Sequence, residues 1–362
     1  MEIELFNAAN TSIWNEFVAE AEDIEFFFTL EWKNIIEKAF NLKPFYYLIR
    51  ENGEIVAIVP FFLIVSSVFG NRLISLPFTD YGGVYFKRKV DVSSQNSIIK
   101  FLLEEISIVV KHFRIGYIEI RGCWYEEYAL GRINCFSKSP YVRFSLNLNR
   151  SFNGIISKFS KSIRRVIKKN QDRMENEKVK IFRCQEKKDL NKIYSIYLRD
   201  MRRFGSPPLP RSYFEAEWDI LKKKNMLEIF TAYYKDTIIG SISLLIFKKK
   251  IYAELIMSNT MFDWLCPKII LLYETIKWAQ HNGFYSYDFG RTRRDTGVYE
   301  HKKRWGGEES NINYSFIVYN QKCDTRLDFA QSKFSMSRKL IKNLPLCFLE
   351  TIGPIIRKNI GK

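Results

Sequence analysis

Only three histidines occur in 362 residues, His112, His281 and His301, and they lie far apart in the chain. A histidine-based metal site needs several such ligands together, so their scarcity argues against one. The six cysteines, Cys123, Cys135, Cys184, Cys266, Cys323 and Cys347, are scattered, and no pair has CxxC spacing. Reduced thiols in a cytosolic protein are therefore expected. The segment Met1-Glu2-Ile3-Glu4 is acidic and does not open a signal-peptide core. The longest apolar run, residues 55–69, is broken by Pro60 and two serines and is too short to span a bilayer. Asn52-Gly53 just before it marks a hairpin turn, so the run reads as a buried strand element.

Aromatic residues are abundant at 16%, with 30 Phe and 20 Tyr, so a large core is available. The length suits two domains of ordinary size. The net charge is +17, which argues for an anionic partner such as a nucleotide, coenzyme A, RNA or an acidic membrane surface. Residues 158–173 and residues 320–362 carry +6 each, twelve of the seventeen.

The chain makes the same statement twice. Residues 45–50 and 55–62 flank Asn52-Gly53, and residues 228–234 and 238–244 flank Lys235-Asp236-Thr237. Both read as strand, tight turn, strand. Helical patterns precede each hairpin, at residues 11–21 and 30–40 and again at 189–204 and 211–224. An amphipathic helix and a further strand follow each, at 94–113 and 117–122, then at 268–281 and 285–290. That order predicts an α+β fold, with two similar domains and a boundary near residue 150.

Chemistry-bearing residues concentrate late. A short apolar strand ends in Tyr287-Asp288-Phe289-Gly290-Arg291, and Gly297 leads into Tyr299-Glu300-His301-Lys302-Lys303-Arg304-Trp305-Gly306. A strand end followed by Gly exposes Asp288 and Arg291. Asp288 is placed to orient or deprotonate an acceptor, and Arg291 to grip phosphate or carboxylate; a structural Asp–Arg pair locking the loop is the plain alternative. Lys302 to Arg304 otherwise form a solvated basic turn over Trp305. Tyr252 and Glu254 share one face of a strand, where Glu254 is either a base or a solvated or paired carboxylate. Arg202, Arg203 and Ser206 end a helix, where cations suit the dipole with or without a ligand. Cys266-Pro267-Lys268 opens the last amphipathic helix. The basic stretch 158–173 reads as a helix, with an apolar stripe of Ile156, Phe159, Ile163, Val166 and Ile167 at helical spacing behind Arg164, Arg165 and Lys168, which either face solvent or hold phosphate.

The order in each half resembles the GNAT acyltransferase unit, and two such units resemble the FemAB family of tandem GNAT-like acyl and aminoacyl transferases. The resemblance rests on residues 76–83 (Leu-Pro-Phe-Thr-Asp-Tyr-Gly-Gly), 162–169, 201–208, 288–291 and 299–306, and covers most of the chain. It is closest to the shorter FemAB-like proteins found beside exosortase and exopolysaccharide genes in bacteria, without the long helical-hairpin insertion of the peptidoglycan-bridge enzymes.

What the resemblance implies is specific. Residues 1–150 form a degenerate GNAT-like domain that binds acceptor through Asp80 and Tyr81, or is structural. Residues 151–320 form the catalytic one, and 321–362 a basic amphipathic tail that either lies on an acidic membrane or packs on the second domain. Lys302 matches the family lysine, with His301 in place of the usual Phe, and would stabilise the oxyanion of acyl transfer. Asp288 and Arg291 assist. Arg164, Arg165, Lys168, Arg202, Arg203, Ser206, Tyr252, Lys268, Trp305, Asp80 and Tyr81 bind substrate or donor.

The implied reaction forms an amide or ester on a cell-envelope or exopolysaccharide precursor, an anionic or lipid-linked acceptor, with acyl-CoA as co-substrate and no metal. The usual Gly-rich pyrophosphate loop is absent at Pro267-Lys268, which keeps aminoacyl-tRNA open as donor. The expected location is the cytoplasm, with the tail reaching the inner face of the membrane. A non-catalytic polyanion or membrane-surface binder is the contrasting reading, and it gives Asp288 and Lys302 no special role.

Overall fold

The computed structural model describes residues 1–87, 90–122, 134–177, 179–321, 323, 325 and 334–361, without the side chains of 172–177. Cys123 and the side chain of Arg173 lie outside this set, as does much of the stretch 322–333. The elements run β1 (Glu2–Leu5), α1 (Thr11–Glu20), α2 (Leu30–Phe40), β2 (Lys43–Glu51), β3 (Glu54–Ile64), β4 (Asn71–Ser75), β5 (Tyr85–Phe86), α3 (Val92–Glu105), α4 (Ser107–His112), β6 (Ile115–Arg121) and β7 (Cys135–Asn147). There follow α5 (Phe152–Lys158), α6 (Lys161–Glu177), β8 (Val179–Arg183), α7 (Leu190–Phe204), α8 (Arg211–Leu221), β9 (Leu227–Tyr234), β10 (Thr237–Phe247), β11 (Lys250–Ser258), α9 (Pro267–His281), β12 (Ser286–Thr292), α10 (Gly297–Lys303), β13 (Glu308–Val318), α11 (Ser335–Asn343) and α12 (Leu346–Ile360).

The chain divides into two compact units. The first comprises Met1–Pro140, Ile312–Ala330 and Ile355–Lys362; the second comprises Tyr141–Asn311 and Gln331–Pro354. The chain thus returns to the first unit after completing the second, a return that hydrophobic periodicity does not reveal.

Within the first unit the strands run β1-β2-β3-β4-β6-β13, with β5 also on β3. The β2–β3 hairpin turns at Asn52 (φ 51°) and Gly53 (φ 81°), both left-handed, as a two-residue turn matched to strand twist requires. β4 and β6 pair in parallel. Alternate residues from these strands, among them Phe45, Val59, Phe61, Leu73, Ile118 and Ile120, meet Ile99, Leu102 and Leu103 of α3 in a buried core. The expected helix over residues 94–113 is two helices, broken at Ile106.

Within the second unit the strands run β7-β12-β11-β10-β9-β8, with β11 and β12 parallel and the other pairs antiparallel. The element order α7, α8, β9, β10, β11, α9, β12 repeats that of α1, α2, β2, β3, β4, α3–α4, β6. Its core joins Ile239, Ile242, Leu271, Ile276, Tyr287 and Phe289 to Phe159, Ile163 and Ile167. The fold is α+β: mixed, mostly antiparallel strands flanked by helices.

The basic stretch 158–173 is not one helix. α5 stops at Phe159, whose backbone is extended (φ −66°, ψ 143°). Ser160 then caps α6, its hydroxyl accepting from Ile163 N–H at 3.3 Å. The stripe therefore spans two helices, yet Phe159, Ile163 and Ile167 are buried as its spacing predicts.

Candidate functional site

β12 carries Asp288 into the interior, where it is 5% exposed. One carboxylate oxygen accepts the Gly290 N–H at 2.7 Å, and the other lies 3.8 Å from Arg143 Nη1. Gly290 takes φ 71°, and the register against β7 breaks between Asp288 and Arg291. The resulting bulge redirects Arg291, whose guanidinium sits 4.8 Å above the Tyr141 ring. Thr296 caps α10 by accepting from Tyr299 N–H, and this short helix delivers Lys302 back to the bulge. The half-buried Lys302 ammonium donates to the carbonyls of Gly290 and Arg291, each at 2.9 Å. Lys302, Asp288 and Arg291 thus converge on one turn of backbone, with Tyr252 of β11 in parallel register beside Asp288.

Trp305 is a different case. It is wholly buried, packs edge-on against Phe159 at 5.1 Å and donates to His301 Nε2 at 3.4 Å. The expectation that it binds substrate gives way to a packing role, because no face of the ring reaches the surface. Gly306 (φ 70°) explains the end of the motif: a Cβ there would stand 2.3 Å from the Lys158 carbonyl. Burial, then the cations Arg304, Lys268 and Lys302, hold the His301 imidazole below its ordinary pKa. It is neutral, with Nε2 as the acceptor.

A cleft of about 570 Å³ opens at the C-terminal end of α7. Arg199, Asp200, Arg202 and Arg203 line it together with Ser258, Asn259, Thr260, Met261 and Lys342. Four cations against one acid make it electropositive. Asp200, 1% exposed, organises the wall by accepting from Lys268 Nζ at 2.7 Å, Arg203 Nη2 at 2.9 Å and Ser258 N–H at 3.2 Å. Ser206 donates its own N–H to the Met201 carbonyl and closes the helix after the left-handed Gly205. The cleft brings Arg202 and Arg203 to one wall, and Asp200 ties Lys268 to it.

Between these two places the sheet opens. β11 and β12 pair only at Lys250–Tyr252 with Ser286–Asp288. Beyond them β11 continues to Ser258 with no further pairing to β12 among the described residues. On the other edge of β11 the register against β10 skips Glu254. Glu254 accepts the Tyr213 hydroxyl proton and neighbours Glu217, which is 2% exposed. Burial and then the Glu254 charge push the Glu217 carboxyl well above its ordinary range. The structure thus places the half-buried Glu254 against the buried Tyr213 and Glu217.

Arg164, Arg165 and Lys168 are exposed on α6 and do not line the cleft. Asp80 and Tyr81 belong to the first unit, in a loop shaped by Leu76 (φ 49°) and Phe78 (φ 64°). The Thr79 hydroxyl donates to the Leu76 carbonyl at 2.8 Å, and the buried Tyr81 ring lies 5.9 Å from Phe27. Sequence reasoning missed Arg199, Asp200, Lys342, Arg143 and Tyr141. The density of Arg199-Asp200-x-Arg202-Arg203 at a helix end was the available signal; an acid among so many cations reads as a solvated pair.

Residues 157–303 match the family model described as acetyltransferase (GNAT) domain. No curated protein matches the chain. Solved structures of similar fold include FemX, with TM-score 0.67 at 14% identity, covering 89% of this chain and 98% of that one. L-PGS from Bacillus licheniformis aligns with TM-score 0.55 at 12% identity over 99% of this chain and 98% of that one. A tandem GNAT protein from the clavulanic acid biosynthesis pathway aligns with TM-score 0.51 at 9% identity, covering 87% and 98%. At such identities the likeness is one of fold. Residues 157–303 therefore carry an acyltransferase domain of the GNAT type, within a chain whose fold is shared with FemX and a tandem GNAT protein. This domain begins in α5 and ends in α10, and so contains Lys302, Asp288 and the α7 wall of the cleft.

Proposed function

We propose that this acyltransferase forms an amide or ester on a cell-envelope or exopolysaccharide precursor, with acyl-CoA as donor. The acceptor amine or hydroxyl attacks the donor carbonyl directly. Its proton passes towards Asp288, the Lys302 ammonium faces the oxygen on which negative charge develops, and collapse of the tetrahedral intermediate breaks the C–S bond, the thiolate leaving with that proton as coenzyme A. Cations of the α7 cleft hold donor or acceptor phosphates. One observation carries this reading above the rest. Lys302 returns through α10 to the Gly290–Arg291 bulge, next to a buried carboxylate on the same strand.

Aminoacyl-tRNA remains the second reading for the donor. Pro267-Lys268 stands where a Gly-rich phosphate loop would be, and Asp200 puts a carboxylate against Lys268 there. Calorimetric titration with coenzyme A separates the two. Binding in the micromolar range supports the acyl-CoA donor, whereas no heat with coenzyme A and retention of aminoacyl-tRNA on the protein support the other. Absence of acyl transfer from either donor to any envelope precursor would refute the proposal.

A further inference from the structure

The last two helices are fixed on their inner faces and bare on their outer ones. α11 meets the turn after α7 so closely that a Cβ on Gly205 would stand 2.6 Å from the Arg338 carbonyl oxygen. α12 meets the same connection: a Cβ on Gly353 would stand 2.2 Å from Pro208 Cδ. Ile341 and Leu349 are buried on this inner side. On the outer side Met336 is 74% exposed, Leu340 64%, Phe348 57% and Ile352 42%. Each pair is spaced i, i+4, so each pair forms one stripe of its helix. Exposed Lys339 lies beside the α11 stripe, and exposed Lys342 is on another side of the helix.

Large apolar side chains in a row, on a docked helix that carries Arg338, Lys339 and Lys342 and no acid, match an interface that is half hydrocarbon and half anion. No helix among the described residues is long and apolar enough to cross a membrane, and α11 has only nine residues, so these helices suit lying in the plane of a surface. We propose that the outer face of α11 and α12 docks on an anionic lipid bilayer. Lys342 of α11 lines the wall of the cationic cleft, so docking of α11 brings the cleft close to the bilayer. Met261, 79% exposed on the same rim, extends the apolar margin. The docking stands on the exposed face alone; the further step, that the acceptor is lipid-linked and enters from the bilayer, rests on the function proposed above.

The test uses the full chain and sedimentation with vesicles, either pure phosphatidylcholine or about one-third phosphatidylglycerol, at near-physiological salt. The chain should cosediment with the anionic vesicles and not with the neutral ones. M336E/L340E and F348E/I352E should each weaken binding by roughly tenfold or more, because they put anions on the docking face. Both sites are exposed, so circular dichroism and the melting temperature should stay at wild-type values. Lys302→Ala should leave vesicle binding intact, which separates docking from catalysis. Failure of the wild type to cosediment, equal binding to both vesicles, or full binding by M336E/L340E would overturn the proposal. A dimer in lipid-free solution that M336E/L340E dissolves would also overturn it, by assigning the face to a second copy.

Discussion

The two units end their corresponding strands alike, Glu119-Ile120-Arg121-Gly122 on β6 and Asp288-Phe289-Gly290-Arg291 on β12, and use them oppositely. On β6 both charged side chains are fully buried, and Arg121 Nε meets Glu119 Oε1 at 2.8 Å. The remaining guanidinium N–H groups donate to the carbonyls of Leu76, Thr79 and Gly361. The neighbouring strand β4 pairs with β6 from Asn71 to Ile74, nearly its full length. On β12 the parallel neighbour pairs over only three of its nine residues. There Asp288 has its ion-pair partner at 3.8 Å, and Arg291 and Lys302 are half-buried. A closed sheet turns a carboxylate and a guanidinium into a structural brace, whereas a splayed one leaves the same chemistry beside an opening. This contrast supports catalysis in the second unit.

The largest way to break the contrast is Arg121→Ala. It strands Glu119 in the interior and should cost about 3–5 kcal/mol by urea denaturation. A stable variant with a selective loss of transfer would make β6 a second chemical site. Trp305→Ala should cost a similar ~3–5 kcal/mol, since the ring fills the core between Phe159 and Phe289. Full stability with lost substrate affinity would return Trp305 to the binding residues. Asp288→Asn keeps the shape and removes the base, so turnover should fall by about a hundredfold or more with little change in melting temperature. A loss seen only in stability would place Asp288 with Glu119, as a brace.

The smallest effect concerns pH. The Glu217 carboxyl is held above its ordinary pKa, so its contribution to stability is complete below the unfolded value and is lost as pH rises through the folded one. Glu217→Gln should therefore stabilise the protein more at pH 8 than at pH 5, by on the order of 1 kcal/mol. Equal effects at both values would mean the carboxyl is ionised in place. His301 works the other way. Its pKa is lowered, so its contribution is present above the unfolded value of 6.5 and is lost as pH falls below it.

The repeated hairpins were legible because alternating apolar residues and Asn52-Gly53 are local signals, and the duplicated order gave the α+β class. The convergence of Lys302 on the β12 turn followed only in outline, since the bulge at Gly290 depends on pairing with β7. Trp305 came among the binding residues through the resemblance, while the basic turn over it already pointed to packing, and Phe159 packs against it. The break at Phe159-Ser160 was hidden by an apolar stripe that keeps its spacing across two helices. Asp200 and Lys342 were invisible as site residues because they are 142 positions apart and meet only in the folded cleft.

The central claim is that the β12 turn, not the β6 turn, carries the chemistry. The most direct measurement is the single-turnover rate of acyl release to acceptor for Lys302→Ala, using whichever of acetyl-CoA and aminoacyl-tRNA binds. The account predicts a fall of roughly 10²–10³-fold, as for loss of one oxyanion donor, with the melting temperature unchanged. A wild-type rate in that variant would contradict it.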